Sequence, residues 1–156
     1  MRSVASVIPG LLAAIGLTAC QGSRMDPCEF LSVEAVRSID ASVSSPLWAG
    51  RQEPKADYEV CTFYNAGGDP RVMLFVWYDD EASPRDLVAD GSDDASVRPI
   101  TESDIEAYAS FDDESLQLLA ARSSSRTVGL RVRNTVVDGS EEFRKVIALA
   151  ETAVRY

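Results

Sequence analysis

Histidine is absent from this chain of 156 residues, which limits the chemistry that its side chains can perform. Histidine is the most common general base and metal ligand near neutral pH, so no Ser-His-Asp triad, Cys-His pair or H-E-x-x-H motif can form. The sequence also contains no G-x-S-x-G or G-x-G-x-x-G motif. Two carboxylates alone can cleave a glycosidic bond, but with 25 Asp and Glu residues a suitable pair would arise by chance. We therefore predict no catalytic residues and no cofactor, and keep a carboxylate-dependent hydrolase only as a second alternative.

Residues 90–94, Asp-Gly-Ser-Asp-Asp, are rich in the oxygen ligands that Ca²⁺ prefers. The spacing of an EF-hand loop is absent, and no glutamate closes a 12-residue loop. We interpret this segment as a solvent-exposed acidic loop and predict no metal site.

The cysteines offer the clearest chemistry. Cys20 ends the segment Leu17-Thr18-Ala19-Cys20, and residues 4–19 before it contain no charged side chain. That apolar run follows Arg2 and is too short to span a bilayer, which takes about 20 residues. A basic start and a short apolar run are typical of a secretory signal. A buried first helix is the alternative, but Pro9-Gly10 would break it.

The four residues Leu17-Thr18-Ala19-Cys20 resemble the lipobox of bacterial lipoproteins. The resemblance implies a signal peptide over 1–19, cleavage before Cys20, and a diacylglycerol on the Cys20 sulfur, often with a third fatty acyl chain such as palmitate on the new amine. Two or three chains hold a soluble domain on a bilayer where one would not. We expect an exported protein in the bacterial cell envelope, anchored to the membrane through Cys20. Gln21 would direct it to the outer membrane, facing the periplasm, in a Gram-negative cell; otherwise it would lie on the outer face of the cell membrane.

Cys28 and Cys61 remain once Cys20 is assigned to lipid. Outside the cytoplasm an isolated pair is most simply a structural disulfide. A redox-active thiol pair is the alternative, and the absence of a C-x-x-C motif disfavours it. In the chain-entropy model, a bridge across this loop contributes roughly 3–4 kcal/mol to stability.

The acidic excess is concentrated in one part of the chain. The net charge of −10 becomes −11 once Arg2 is removed, and residues 79–114 contain 13 acidic but only two basic residues. This balance argues against a nucleic-acid partner, whose phosphates require a basic surface. It also argues against a domain lying flat on anionic lipid.

The remaining chain predicts one α+β domain. We expect a tether over 20–27 and a domain over 28–156, with an acidic connection over 79–114. The domain should be an antiparallel sheet of four to five strands with helices packed on one face and one disulfide. Apolar spacing and capping residues predict a helix over 32–39, weak helical pieces over 83–89 and 101–108, and a last helix after Ser140. Alternation and β-forming residues predict a hairpin from strands at 58–64 and 71–78, and further strands over 116–122 and 126–133. Residues 40–57 are expected to form a loop that could include a short strand.

The opening of this domain resembles a second group. The run from Asp26-Pro27-Cys28 to Val36 is similar to the start of small bacterial envelope lipoproteins, many of them actinobacterial, that are known only as domains of unknown function. Their second cysteine precedes an aromatic residue on a strand, as Cys61 does before Phe63. Phe30 replaces the usual leucine, and the long acidic middle also departs from the group. The resemblance implies a disulfide-pinned α+β domain without known catalytic residues.

These observations predict that the protein acts by binding a protein or as a structural component of the envelope. A basic protein partner would dock on two acidic runs: Asp79, Asp80 and Glu81, and Asp112, Asp113 and Glu114. An alternative is a carrier or sensor of a small apolar ligand, with Trp48, Trp77 and Tyr78 lining a groove, although aromatics on strands more often belong to a core. Arg131 and Arg133 should project from one face of a strand, where they could pair with the acidic segment or bind a partner.

Overall fold

The computed structural model describes residues 25–48, 58–78, 82–90, 96–124 and 126–156. Cys20, the predicted signal peptide over 1–19, and residues 79–81 and 91–95 lie outside this part of the chain. The elements are a 3-10 turn (Pro27–Glu29), α1 (Val33–Arg37), β1 (Val43–Trp48), β2 (Tyr58–Asn65), β3 (Pro70–Trp77), α2 (Pro84–Ala89), β4 (Val97–Pro99), β5 (Glu106–Asp112), β6 (Ser115–Arg122), β7 (Thr127–Val132) and α3 (Glu141–Arg155).

The sheet has seven strands in the order β1-β2-β3-β7-β6-β5-β4, and every neighbouring pair is antiparallel. The α+β class, the antiparallel sheet and the β2–β3 hairpin are therefore confirmed. The predicted count of four to five strands is too low. β1 is the short strand that the sequence allows within 40–57, and the strands that it does not predict are β4 and β5 at the other edge.

Side chains alternate between the two faces of the sheet, because directly opposed residues of antiparallel strands project to the same face. One face, here called the core face, carries Val72, Leu74 and Val76 of β3 opposite Val132, Leu130 and Val128 of β7. All six are at most 5% exposed. The 3-10 turn, α1 and α3 pack on this face through Phe30, Val36, Phe143, Val146 and Ala150.

The opposite face, here called the outer face, is covered in part by α2. Thr127 pairs with Trp77 and projects from this face, since the neighbouring pair Val76 and Val128 belongs to the core. The Thr127 hydroxyl donates to the carbonyl oxygen of Ala82 (2.9 Å), just before α2 begins. The expectation that all helices pack on one face is therefore wrong. α2 contacts β4, β5, β6 and β7.

The predicted helix over 101–108 is also wrong. From Glu106 onward this stretch forms β5, in which Ala107 and Ala109 project into the core. The residues before it form a loop fixed to α3: the Ser103 hydroxyl (2.7 Å) and the Asp104 N–H (3.3 Å) both donate to Glu151 Oε1. The tertiary pairing of β5 with β6 overrides the local capping pattern at Thr101 and Asp104.

The last helix begins and ends close to where the sequence predicts. Ser140 is its N-cap, and its hydroxyl accepts a hydrogen bond from the Phe143 N–H (3.1 Å). The amphipathic spacing places Phe143, Val146 and Ile147 against the sheet.

Candidate functional site

The cysteine pair forms the predicted disulfide between Cys28 and Cys61, whose Cα atoms are 5.0 Å apart. Asp26 caps the 3-10 turn by accepting a hydrogen bond from the Cys28 N–H (2.8 Å). Cys61 is fully buried in the middle of β2. The bridge thus fixes the first residues of the domain to the centre of the sheet and determines where the chain enters it.

The chain enters the domain at one end of the strands. The Tyr78 hydroxyl donates to the Met25 carbonyl oxygen (3.1 Å), and Tyr78 directly follows β3. Tyr58, at the start of β2, pairs with Trp77 at the same end. The end of α3 is also here, because the Ser123 hydroxyl after β6 donates to the Val154 carbonyl oxygen (3.1 Å). We call this the anchor end.

The second acidic run lies at the opposite end of the strands. Asp112 ends β5 and pairs with Ser115, so Asp113 and Glu114 form a two-residue hairpin turn. Both turn residues have positive φ, 45° and 66°. Positive φ at both central residues is typical of a type I′ turn, which favours Asn, Asp or Gly at the first position and Gly at the second. The side chains of all three acidic residues are exposed.

Three further acids join this turn. The Asp138 N–H donates to the Glu114 carbonyl oxygen (3.2 Å), and Ser115 forms a bridge with Val137. α3 starts three residues after Asp138, at Glu141, and its first turn contributes Glu141 and Glu142. We call this cluster the acidic tip: Asp112, Asp113, Glu114, Asp138, Glu141 and Glu142.

Two of the six carboxylates of the acidic tip have basic neighbours. Arg98 pairs with Asp138 (2.6 Å), and Lys145 pairs with Glu141 (3.1 Å). Within the described residues, no basic side chain lies within ion-pair distance of Asp112, Asp113 or Glu114. The tip therefore keeps a negative charge.

Residues Asp79, Asp80 and Glu81 lie outside the described residues. The chain leads into them from Tyr78 at the anchor end, whereas Asp112–Glu114 lies at the far end of the sheet. The eight residues of β3 between the two ends span about 24 Å at the rise of a β-strand.

An open groove of about 410 Å³ lies between α3 and the loop before β5. Three of its five lining side chains are charged; the lining consists of Glu102, Arg144, Ile147, Ala148 and Glu151. Sites for apolar ligands are lined mainly by hydrophobic and aromatic side chains. This groove therefore does not favour a carrier of small apolar molecules.

The aromatic residues predicted to line such a groove point to different sides of the sheet. Trp77 projects from the outer face, whereas Tyr78 packs against the core cluster. Trp77 contacts Phe75 and Tyr58, with ring centroids 5.8 Å and 5.3 Å apart. The side chain of Trp48 lies outside the described part of the structure.

The two predicted strand arginines share one face, as expected. Arg131 pairs with Met73 and projects from the outer face, and Arg133 follows two residues later. Both are exposed, and within the described chain neither lies within ion-pair distance of a carboxylate.

A partly buried polar network around Asp40 was not anticipated from the sequence. Asp40 Oδ2 accepts hydrogen bonds from Arg71 Nε (2.7 Å) and Asn134 Nδ2 (2.9 Å). Asp40 Oδ1 accepts from the Ser42 hydroxyl (2.6 Å) and the Ser42 N–H (3.0 Å). Arg71 also donates to the Asn134 side-chain oxygen. These residues are 31 to 94 positions apart, so no local pattern indicates their contact.

The electrostatics of Asp40 follow from these bonds. Burial would raise the pKa of Asp40, but the hydrogen bonds from Ser42 and Arg71 outweigh burial and hold the pKa below its usual 3.8. Because all four acceptor contacts are occupied, the network ties α1 to β3 and to the segment after β7, and we assign it a structural role.

No known family model matches the chain, and no curated protein matches its sequence. None of the helices in the described ranges is long and apolar enough to cross a membrane. In the same ranges, no three Cys, Asp or Glu residues are grouped so that they could hold a metal ion.

Proposed function

We propose that this chain is a lipid-anchored protein of the bacterial cell envelope that binds a basic protein partner through its acidic tip. The anchor rests on Leu17-Thr18-Ala19-Cys20 and on the uncharged run before it. The observation that supports the binding role is the separation of the two ends. The chain arrives from Cys20 at the anchor end, and the acidic tip lies at the opposite end of the strands.

The positions of Asp113 and Glu114 add to this argument. Aspartate tolerates positive φ, but glutamate at position 114 does so unfavourably, and glycine there would relieve the strain. Strain of this kind is found where a side chain is needed for function. In this account, the turn keeps two carboxylates at its apex because a partner contacts them. A surface of one sign also accelerates the approach of an oppositely charged partner.

The anchor is tested by metabolic labelling with a fatty acid. The wild-type protein should be labelled, and the Cys20→Ser variant should not be. Equal labelling of both proteins would contradict the anchor.

The docking role is tested by a variant that removes charge while improving the turn. Asp112→Asn, Asp113→Asn and Glu114→Gly together remove three negative charges and give the turn the Asn-Gly sequence of a type I′ turn, which replaces the unfavourable Glu114 by glycine. Co-purification of the partner should be lost, and wild-type association should weaken as salt is raised. Because the variant should be at least as stable as the wild type, misfolding cannot account for lost binding.

A matched control neutralises three exposed acids elsewhere: Glu34→Gln, Asp86→Asn and Glu106→Gln. This control should retain the partner. If the control and the tip variant lose the partner equally, net charge rather than the acidic tip is responsible. If neither loses it, the partner does not use the tip.

A further inference from the structure

Apolar side chains are unevenly exposed between the two ends of the molecule. Five large apolar or aromatic residues are exposed in the described part: Met25, Leu47, Tyr58, Val137 and Tyr156. Single exposed residues of this kind are normal on a protein surface. Here, three of the five lie at the anchor end.

Contacts across the sheet place these three residues together at that end. The Met25 carbonyl oxygen accepts from Tyr78, and Tyr58 pairs with Trp77, the residue before Tyr78. Tyr156 ends the chain after α3 and meets the ring of Phe30 edge-on, with centroids 5.1 Å apart.

The same three residues lie on both sides of the sheet. Tyr58 projects from the outer face, since its partner Trp77 does. Met25 and Tyr156 lie on the side of the core face, next to the 3-10 turn and α3. Together they border the end of the sheet, and we call Met25, Tyr58 and Tyr156 the aromatic rim.

The rim's exposed fractions are substantial: 41% for Met25, 37% for Tyr58 and 56% for Tyr156. Tyrosine combines an apolar ring with a polar hydroxyl and is enriched where hydrocarbon meets water at a membrane surface. Methionine is flexible and apolar, which suits an irregular surface such as the headgroup region.

Two of the described arginines at this end lie close to carboxylates. Arg155 is 3.9 Å from both Asp104 and Glu151, and Arg122 is directly opposite Glu106 on the neighbouring strand. Arg126 stacks over Phe30, 4.7 Å from the ring centroid. Asp79, Asp80 and Glu81 directly follow Tyr78 in the sequence, so this end is not free of acidic residues, and a membrane contact here must come from apolar side chains rather than from charge.

The length of the chain before Met25 sets how far this end can be from a membrane. Met25 is five positions after Cys20, a stretch of chain that reaches about 17 Å when fully extended. A lipidated Cys20 would therefore hold the aromatic rim within reach of the headgroups.

From these observations we propose that the aromatic rim contacts the lipid headgroup region, so that the domain stands on its anchor end and presents the acidic tip away from the bilayer. This proposal rests on the lipid anchor of the proposed function. The contact is apolar rather than ionic, so it is expected on zwitterionic lipid and should be insensitive to salt.

The test uses the full acylated protein, purified from cells and reconstituted into phosphatidylcholine vesicles that contain brominated lipids. A single tryptophan is placed at position 58 or 156 by Tyr58→Trp or Tyr156→Trp, in a background with Trp48→Phe and Trp77→Phe. The matched control is Val137→Trp, which places the probe at the acidic tip. Emission from positions 58 and 156 should be quenched several-fold more strongly than emission from position 137.

Wild-type protein provides a second measurement that needs no substitution. Hydroxyl-radical labelling of Met25, Tyr58 and Tyr156 is compared between nanodiscs stripped of excess lipid and extended vesicles of the same lipid. If the rim contacts the bilayer, labelling should fall in the vesicles, because they offer more bilayer surface. Labelling of Tyr64, at the other end of β2, is the internal reference. Low labelling of the rim relative to its exposed fraction supports the proposal, and labelling in proportion to that fraction contradicts it.

Three results would overturn the proposal. Equal quenching at all three tryptophan positions would mean that the domain lies flat, and no quenching at any of them would leave the rim free for a protein partner. Quenching that disappears in salt would mean an ionic contact. Fatty-acid labelling and flotation with the vesicles are measured on the same samples. A protein that is labelled and floats but shows no rim quenching refutes the rim contact alone, whereas one that is not labelled refutes the anchor.

Discussion

Asp40 joins three distant parts of the chain through one carboxylate. It is 5% exposed, and Ser42, Arg71 and Asn134 donate hydrogen bonds to its two oxygens. Hydrogen bonds to a charged group contribute more to stability than neutral ones, and a buried carboxylate that lost them would be costly. The network therefore stabilises the packing of α1 against the sheet near the β2–β3 turn.

The pKa of Asp40 predicts how stability depends on pH. Because hydrogen bonds from Ser42 and Arg71 hold the pKa of Asp40 below 3.8, its contribution is present above pH 3.8 and is lost as the pH falls through the lower folded-state value. Asp40→Asn should reduce the free energy of unfolding at neutral pH by about 2 kcal/mol. The difference from wild type should shrink on acidification. Urea denaturation at several pH values measures both effects.

Asp138→Asn is the control for this prediction. Asp138 forms an exposed pair with Arg98, and its loss should cost less than about 1 kcal/mol. A difference between Asp40→Asn and wild type that stays constant down to acidic pH would contradict the assignment.

The ring of Trp77 packs against Gly129 and leaves no room for a side chain at position 129. A Cβ atom at position 129 would lie 3.0 Å from Cζ3 of that ring, closer than ordinary contact. Gly129→Ala should therefore displace Trp77, shift its fluorescence and destabilise the fold by about 1–2 kcal/mol. Gly67→Ala, in the exposed turn between β2 and β3, is the matched substitution and should leave the fluorescence unchanged.

At the scale of elements, the β5–β6 turn carries backbone strain that can be relieved. Glu114 has a φ of 66°, which glycine adopts without cost. Glu114→Gly should raise the free energy of unfolding by about 1 kcal/mol. Thermal denaturation measures the change, and a destabilised variant would mean that the Glu114 side chain itself supports the hairpin.

The disulfide is the second element-scale determinant of stability. The bridge closes a loop with a sequence separation of 33 residues, and the chain-entropy model gives a loss of roughly 3–4 kcal/mol when it is removed. Cys28→Ser combined with Cys61→Ser should show this loss in denaturant unfolding. The wild-type mature domain should show no free thiol when it is titrated without reductant. A reactive thiol there would contradict the bridge.

The elements that the sequence predicts well are those with strong local patterns. Alternating residues in β2, β3 and β7 and the spacing and cap of α3 identify these elements directly. β1 contains two serines and Pro46, which hide its pairing with β2. β5 lies within the acidic segment, where the Ala107 and Ala109 positions are too small to give a clear apolar alternation. Its strand conformation depends on the distant pairing with β6.

The candidate site, too, could be predicted from the sequence only in part. The Cys28–Cys61 bridge and the exposure of Asp112, Asp113 and Glu114 could be predicted from residue type. That Asp138 and the start of α3 lie beside the β5–β6 turn could not, because this depends on a bridge between Ser115 and Val137. Local sequence contains no information on that contact.

At the scale of the whole molecule, the strands separate two surfaces of different chemistry. The anchor end bears the aromatic rim, and the far end bears the acidic tip, about 24 Å away along β3. We assign membrane contact to the anchor end and partner binding to the far end. The carboxylates of the acidic tip can then attract a basic partner from the side of the domain that faces away from the bilayer.

The central claim is tested most directly by photo-crosslinking in living cells. A benzoylphenylalanine residue is placed at Asp112, at the tip, or at Asp86, an exposed position on α2. We predict a discrete adduct with a basic envelope protein from position 112, which is absent from position 86 and lost when Asp113 and Glu114 are replaced by Asn and Gly. An equally strong adduct from position 86, or an adduct from position 112 that survives removal of the two carboxylates, would contradict the account.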